Sequence, residues 1–179
     1  MQALTPHSEV RADRLTLVTG GASSGKTSYA CGRAERDGAN VLYVATCVPR
    51  DEGMREKVRR HRESRPAHWR TREAARDVAS ALTPGFDAAI VDCVTLLISQ
   101  MLIDDSEDGE ILGEIESLAK ARTDYPRYVV TNEVGCGVIP ENALTRRFGV
   151  LQGRANQILA AHADQVVMTV CGLPLHVKG

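Results

Sequence analysis

The eight residues Gly20 to Thr27, GGASSGKT, stand between an apolar, β-branched run, Leu15 to Thr19 (LTLVT), and a segment of helical composition reaching about Arg36. Glycine, four residues, glycine, lysine and threonine in that setting are the pattern of a loop that wraps phosphates after a strand and before a helix. The reason is geometric. Across Gly20, Gly21, Ala22, Ser23, Ser24 and Gly25 the backbone can curl so that successive N–H groups point inward, and the helix start adds partial positive charge. Lys26 then reaches the terminal phosphates, and the Thr27 hydroxyl is placed to ligate Mg²⁺. The expected ligand is a purine nucleoside triphosphate.

Further apolar runs alternate with helix-period segments. Val41 to Ala45, Ala88 to Val91, Tyr128 to Thr131 and Gln165 to Val170 read as strands. A charged helix is predicted over Glu52 to Glu63, closed by Ser64-Arg65-Pro66 because proline disfavours helix in the residue before it. After it His68-Trp69-Arg70-Thr71 reads as an extended piece leading into a second helix over Glu73 to Leu82, with Thr71 as its N-cap. A third runs from Leu144 to His162, with Leu144, Phe148, Leu151, Ala155, Ile158 and Leu159 forming one buried stripe. Continuous apolar strands separated by helices predict an α/β fold, a P-loop NTPase-type mainly parallel sheet with helices on both faces. Ligands of such sheets bind beyond the carboxyl ends of the strands. Those ends carry Gly20, Thr46, Asp92 and Asn132-Glu133.

The 179 residues suit one catalytic domain, assigned to 14–179, behind a polar, aperiodic leader at 1–13. A net charge of −1 gives no overall attraction to nucleic acid. The five cysteines include no C-x-x-C pair and read as reduced cytosolic thiols. With no run long enough to span a membrane and no apolar stretch of a secretory signal, the expectation is a soluble, cytoplasmic protein.

Two further features bear on chemistry. Asp92, closing an apolar strand, stands where an acid would share the metal with Thr27, although strand-terminal aspartates also serve as turn residues. Arg55, Lys57, Arg59, Arg60, Arg62 and Arg65 crowd one stretch around His61. One reading is a solvated helix face paired with Glu52, Glu56 and Glu63. The other is a set of cations that receive a triphosphate while a neutral imidazole attacks phosphorus. Composition leaves both open.

The runs GGASSGKTSYA, VLYVAT, DEGMREKVRRHRESRPAHWRTRE, IVDCVT, TNEVGCGVIPEN and GRANQ, in this order and spacing, resemble the bifunctional adenosylcobinamide kinase/adenosylcobinamide-phosphate guanylyltransferase family of cobalamin biosynthesis. The resemblance covers nearly the whole chain from Leu15 onward, and its histidine-arginine stretch is far more specific than the phosphate loop. It implies phosphorylation of adenosylcobinamide by GTP or ATP, then transfer of GMP from GTP to adenosylcobinamide phosphate, with Mg²⁺. It also implies a histidine bonded to GMP, matched here by His61 rather than His68, with Lys26 as its catalytic partner. The positions that match nucleotide contacts are Thr46, Cys47 and Val48, then Arg62, Glu63, Ser64, Arg65 and Glu73, besides the phosphate loop and Asp92. Glu73 would accept the N1–H and N2–H of guanine. The resemblance further implies a homotrimer.

Ser23 departs from the arginine common in the family's loop, and Gly53 from a common acid. Asn132 to Gly135 and Gly153 to Gln157 belong to the family pattern without an assigned role. Among rival readings, a guanine-nucleotide switch lacks the N-K-x-D motif. A nucleic-acid-dependent ATPase would need a broader basic surface. A P-loop small-molecule kinase without nucleotidyl transfer shares every loop feature and lacks only the histidine chemistry.

Overall fold

Side-chain direction alternates along each continuous apolar run, and that is what builds a sheet buried on both faces. In a computed structural model, which describes residues 13–47, 49, 52–63, 65–135, 137 and 139–179 (of 54, 57, 58 and 60–62 the backbone only), successive strand residues bury themselves on opposite faces. The strands are β1 (Leu15–Gly20), β2 (Val41–Ala45), β3 (Arg70–Glu73), β4 (Ala88–Asp92), β5 (Arg127–Val130), β6 (Gln165–Val170) and β7 (Leu173–Lys178). They form one sheet in the order β3-β2-β4-β5-β1-β6-β7. Every neighbouring pair is parallel except β6 with β7.

Helix α1 (Lys26–Asp37) covers one face, where Ala30 and Ala34 meet Val18, Tyr43, Ile90 and Val130. The opposite face carries the larger cluster. There Leu17, Leu42, Val44, Ala89 and Val129 pack against α3 (Val78–Ala81), α4 (Val94–Ile103), α5 (Asp108–Lys120) and α6 (Ala143–His162). Burying both faces explains why these strands read as continuous apolar runs. No described helix is long and apolar enough to cross a membrane.

The charged helix predicted over 52–63 is α2 (Glu52–Glu63). The helix predicted over Glu73 to Leu82 is corrected: Thr71 lies within β3, opposite Tyr43, and only Val78–Ala81 is helical. The edge of β2 offers hydrogen bonds that outweigh local helix preference, the Ala74 N–H reaching the Ala45 carbonyl at 2.9 Å. Asp77, at φ 51°, then turns the chain. The Glu114 carboxylate starts α3 by accepting from the N–H groups of Asp77 at 3.1 Å and Val78 at 2.7 Å.

The stripe predicted along α6 is also corrected at its start. Leu151, Ala155 and Leu159 are buried and Phe148 and Ile158 pack against the core, but Leu144 is 51% exposed. The first turns of α6 project past the sheet, capped by Asn142, whose side chain accepts from the Thr145 N–H at 3.1 Å. Strand β7 escaped the periodicity reading because all six residues are exposed, leaving no buried face to detect. Its turn, Cys171-Gly172, has positive φ at both positions, the two-residue hairpin geometry.

Candidate active site

Three parallel strands deliver the site. β1 ends in the phosphate loop, and the Gly25 carbonyl opens α1 by accepting from the Tyr29 N–H at 2.9 Å. The loop is braced from behind by the β6–β7 hairpin: the Gly172 N–H donates to the Ser24 carbonyl at 3.0 Å, and Ser24 Oγ lies 2.7 Å from Thr169 Oγ1. Ser23, at φ 56°, sits in the left-handed region where side chains are costly.

Lys26 is 7% exposed, and its ammonium donates to the Gly21 carbonyl at 2.5 Å. Burial lowers its pKa, opposed by the neighbouring Cys93 and Asp92. Asp92, at the end of β4, accepts from Thr27 Oγ1 at 3.1 Å through Oδ2. Two adjacent ligands of an octahedral Mg²⁺ with bonds of about 2.1 Å lie about 3.0 Å apart, so this oxygen pair fits such a cation. Among the described residues no cluster of three or more His, Cys, Asp or Glu could hold a metal unaided. Substrate phosphates and water commonly complete a Mg²⁺ shell.

The loop opens into a cavity of about 490 Å³. It is lined by Ala22 to Ser28, by Tyr43, Ala45, Cys47, Arg65, Thr71 and Glu73, and by Asp92, Cys93, Leu96, Val130 and Asn132. The Arg65 guanidinium carbon stands 3.3 Å from the centre of the Tyr43 ring, a cation–π stack. Thus the structure brings Ala22, Ser23, Ser24, Gly25, Lys26, Thr27, Cys47, Arg65, Glu73 and Asp92 to one wall system, as the sequence reading grouped them.

Others differ. Thr46 is fully buried, its hydroxyl donating to the Cys93 carbonyl at 2.7 Å and its N–H to the Asp92 carbonyl at 3.2 Å. It ties β2 to β4 beneath the cavity and is corrected from nucleotide contact to support. Gly20 is buried under the loop, and Gly21 contributes its carbonyl to Lys26. Glu63 is exposed on α2 and accepts from Arg59 at 3.3 Å, away from the cavity wall. Arg55 and Arg59 pair with Glu52 and Glu56 at 3.0 Å and 2.7 Å, as a solvated helix face would. The expectations for Val48, Ser64 and the side chains of His61 and Arg62 lie outside the described residues. The backbone of His61 is in the last turn of α2.

Two contributions were absent from the sequence reading. Tyr43 donates its hydroxyl to Asp92 Oδ2; its only signal was a phenol in an otherwise apolar strand. Gln152 and Asn156 hold the loop after β5. Gln152 Nε2 donates to Thr131 Oγ1 at 2.8 Å, and Asn156 Nδ2 to the Asn132 carbonyl at 3.1 Å. That gives the GRANQ motif a structural task.

A family model for cobinamide kinase / cobinamide phosphate guanyltransferase matches residues 16–177. The chain belongs to this family. The bifunctional adenosylcobalamin biosynthesis protein CobU of Salmonella typhimurium is 38% identical over 92% of this chain and 99% of its own length. The corresponding CobP of Pseudomonas aeruginosa is 37% identical over 91% and 96%. Among solved structures, a KaiC-like protein of Pyrococcus horikoshii aligns with a TM-score of 0.50 at 16% identity, covering 87% of this chain and 70% of that one. That likeness speaks to the fold. Family membership sets the P-loop kinase without nucleotidyl transfer behind the bifunctional reading.

Proposed function

We propose that this chain phosphorylates adenosylcobinamide and then transfers GMP from GTP to the resulting phosphate through a guanylylated histidine. The observation that carries the reading is the single cavity in which the phosphate loop, the Thr27–Asp92 pair, Arg65 and Glu73 all meet. In the first reaction the aminopropanol hydroxyl of the corrinoid attacks the γ-phosphorus of GTP or ATP. The bond from γ-phosphorus to the bridging oxygen breaks, the nucleoside diphosphate leaves and the hydroxyl proton is released.

In the second, an imidazole nitrogen of His61 attacks the α-phosphorus of GTP and pyrophosphate departs into the phosphate loop. The acceptor phosphate then attacks that phosphorus, the P–N bond breaks, and adenosyl-GDP-cobinamide leaves with the imidazole restored. Family membership and the motif HRESRPAHWRT support His61 in this role, and Arg65, four residues on, lines the cavity. Lys26 already has its ammonium at the loop and stabilises charge on the departing phosphates. Thr27 and Asp92 would hold Mg²⁺, which when bound offsets charge on the phosphate oxygens. Glu73, which lines the cavity, would accept from the N1–H and N2–H of guanine.

The test is incubation with GTP labelled at the α-phosphate, followed by denaturation. Label that is acid-labile and alkali-stable, and missing from His61→Ala, is the expected result. A folded parent that binds GTP yet takes up no label would leave the simpler kinase; label persisting in His61→Ala would place the nucleophile elsewhere.

A further inference from the structure

Tyr43 is only 1% exposed, yet it reaches the cavity with both of its functional parts. Its ring is fixed in the buried cluster with Ala30, Trp69, Ile90 and Cys93. Its hydroxyl donates to Asp92 Oδ2, the same oxygen that accepts from Thr27. Its face carries the Arg65 guanidinium. We propose that Tyr43 is a positioning residue that keeps the metal-binding carboxylate and the phosphate-binding cation in register, the hydroxyl setting Asp92 and the ring seating Arg65. This rests on the reading in which Thr27 and Asp92 hold Mg²⁺.

The two donors to Asp92 are not equivalent. Thr27 has a second obligation, because its oxygen would ligate the cation. Tyr43 has none, and a buried ring with two torsions has few alternatives, so it fixes the carboxylate whatever Thr27 does. Burial, and after it the Asp92 charge, push the phenol far above its ordinary range, so it remains a donor. Arg65 lies between the end of α2 at Glu63 and Pro66, outside any helix, and besides the ring it has only a 3.5 Å contact from Nη1 to Thr71 Oγ1 in the described structure. The ring is therefore its principal seat. Outer-shell partners of this kind are worth about 10- to 100-fold in metal affinity or activity.

Substitution separates the two tasks. Tyr43→Phe keeps the ring and removes the hydroxyl; Tyr43→Leu removes both. Mn²⁺ binding to GDP-saturated protein, read by electron paramagnetic resonance, reports on Asp92. Binding of a fluorescent GTP analogue in EDTA reports on Arg65. Tyr43→Phe is expected to weaken Mn²⁺ about tenfold and leave metal-free nucleotide binding within about twofold. Tyr43→Leu is expected to weaken both, the second to the level of Arg65→Ala. Parent-like Mn²⁺ binding by Tyr43→Phe, with Asp92→Asn impaired, overturns the role of the hydroxyl. Parent-like binding by both variants overturns the metal reading and this inference with it. Metal-free binding that falls in Arg65→Ala but holds in Tyr43→Leu overturns the role of the ring. If Tyr43→Leu does not fold, Tyr43→Phe against Asp92→Asn still decides the proposal.

Discussion

Two glycines behind the phosphate loop share positive φ but differ in the space around them, which lets strain and crowding be measured apart. Gly20 has φ +146°, and a Cβ there would lie 2.5 Å from the Thr169 carbonyl oxygen, 2.7 Å from Ser24 Oγ and 2.8 Å from Thr169 Oγ1. The first neighbour is backbone of β6, held in register opposite Gly20, so it cannot yield without opening the β1–β6 ladder. Gly172 has φ +82° and nothing within 4 Å of a Cβ. For Gly172→Ala only the left-handed backbone is penalised, about 1 to 2 kcal/mol. Gly20→Ala adds overpacking of about 1 to 3 kcal/mol to backbone strain of about 1 to 3 kcal/mol, for a total near 4 kcal/mol. Against a typical domain stability of about 5 to 15 kcal/mol, the second variant should remain measurable. Urea unfolding at constant slope gives the difference, expected to be about 2.5 kcal/mol from the midpoints of these ranges. Equal losses, or a larger one at Gly172, would refute the argument that the hairpin backbone confines the loop.

Guanine selection and thiol protection give two further tests. If Glu73 reads guanine, Glu73→Gln replaces one of its two carboxylate acceptors by a donor, and at an exposed position the preference for GTP over ATP should fall about tenfold; an unchanged ratio removes Glu73 from base recognition. Burial raises the Cys31 thiol from 9.0 to about 11 and the Cys93 thiol from 9.0 to about 12. Folded pKa values above the unfolded ones mean that stability is fully present below about pH 9 and lost as pH rises toward those values. Urea midpoints should therefore decline above pH 9, less steeply in Cys93→Ala. Iodoacetamide at pH 8 should modify exposed Cys171 well before Cys93, and equal rates would show that the strand ends are open to solvent.

The parallel core was legible because its strands are buried on both faces. Leu15 to Thr19 or Ala88 to Val91 can be little else when turns and helices flank them, and the phosphate loop identifies the strand that precedes it. The edges were legible only in part, an extended piece at His68 to Thr71, for the converse reason. β3 is exposed at all four positions, so helix preference in Glu73 to Leu82 had nothing to oppose it in the sequence. The hydrogen bonds offered by β2 exist only once the sheet has formed. β7 is exposed throughout, and its one signal was a glycine two residues before a proline. Tertiary pairing overrides propensity where burial is least.

Site residues follow the same division. Lys26, Thr27 and Asp92 stood out in the sequence because the first two follow the last glycine of the phosphate loop at the start of α1 and the third closes β4. Thr46 was misplaced because a strand-end threonine looks alike whether it faces the ligand or ties two strands from below, and its direction is set by the Cys93 carbonyl, one residue past the end of β4. Tyr43 was invisible for a stronger reason. By sequence it is one more residue of a buried strand, and burial is what allows it to act: a phenol held by the core can fix a carboxylate that an exposed side chain would leave free to rotate. β5 lies between β1 and β4, so Thr27 and Asp92 approach across a strand rather than along a ladder. Thr27 lies at the start of α1 and Asp92 closes β4, so no strand ladder joins the two, and their side chains must be oriented by neighbours. On this geometry, loss of the Tyr43 hydroxyl should be felt at the Thr27–Asp92 pair before it is felt in the fold.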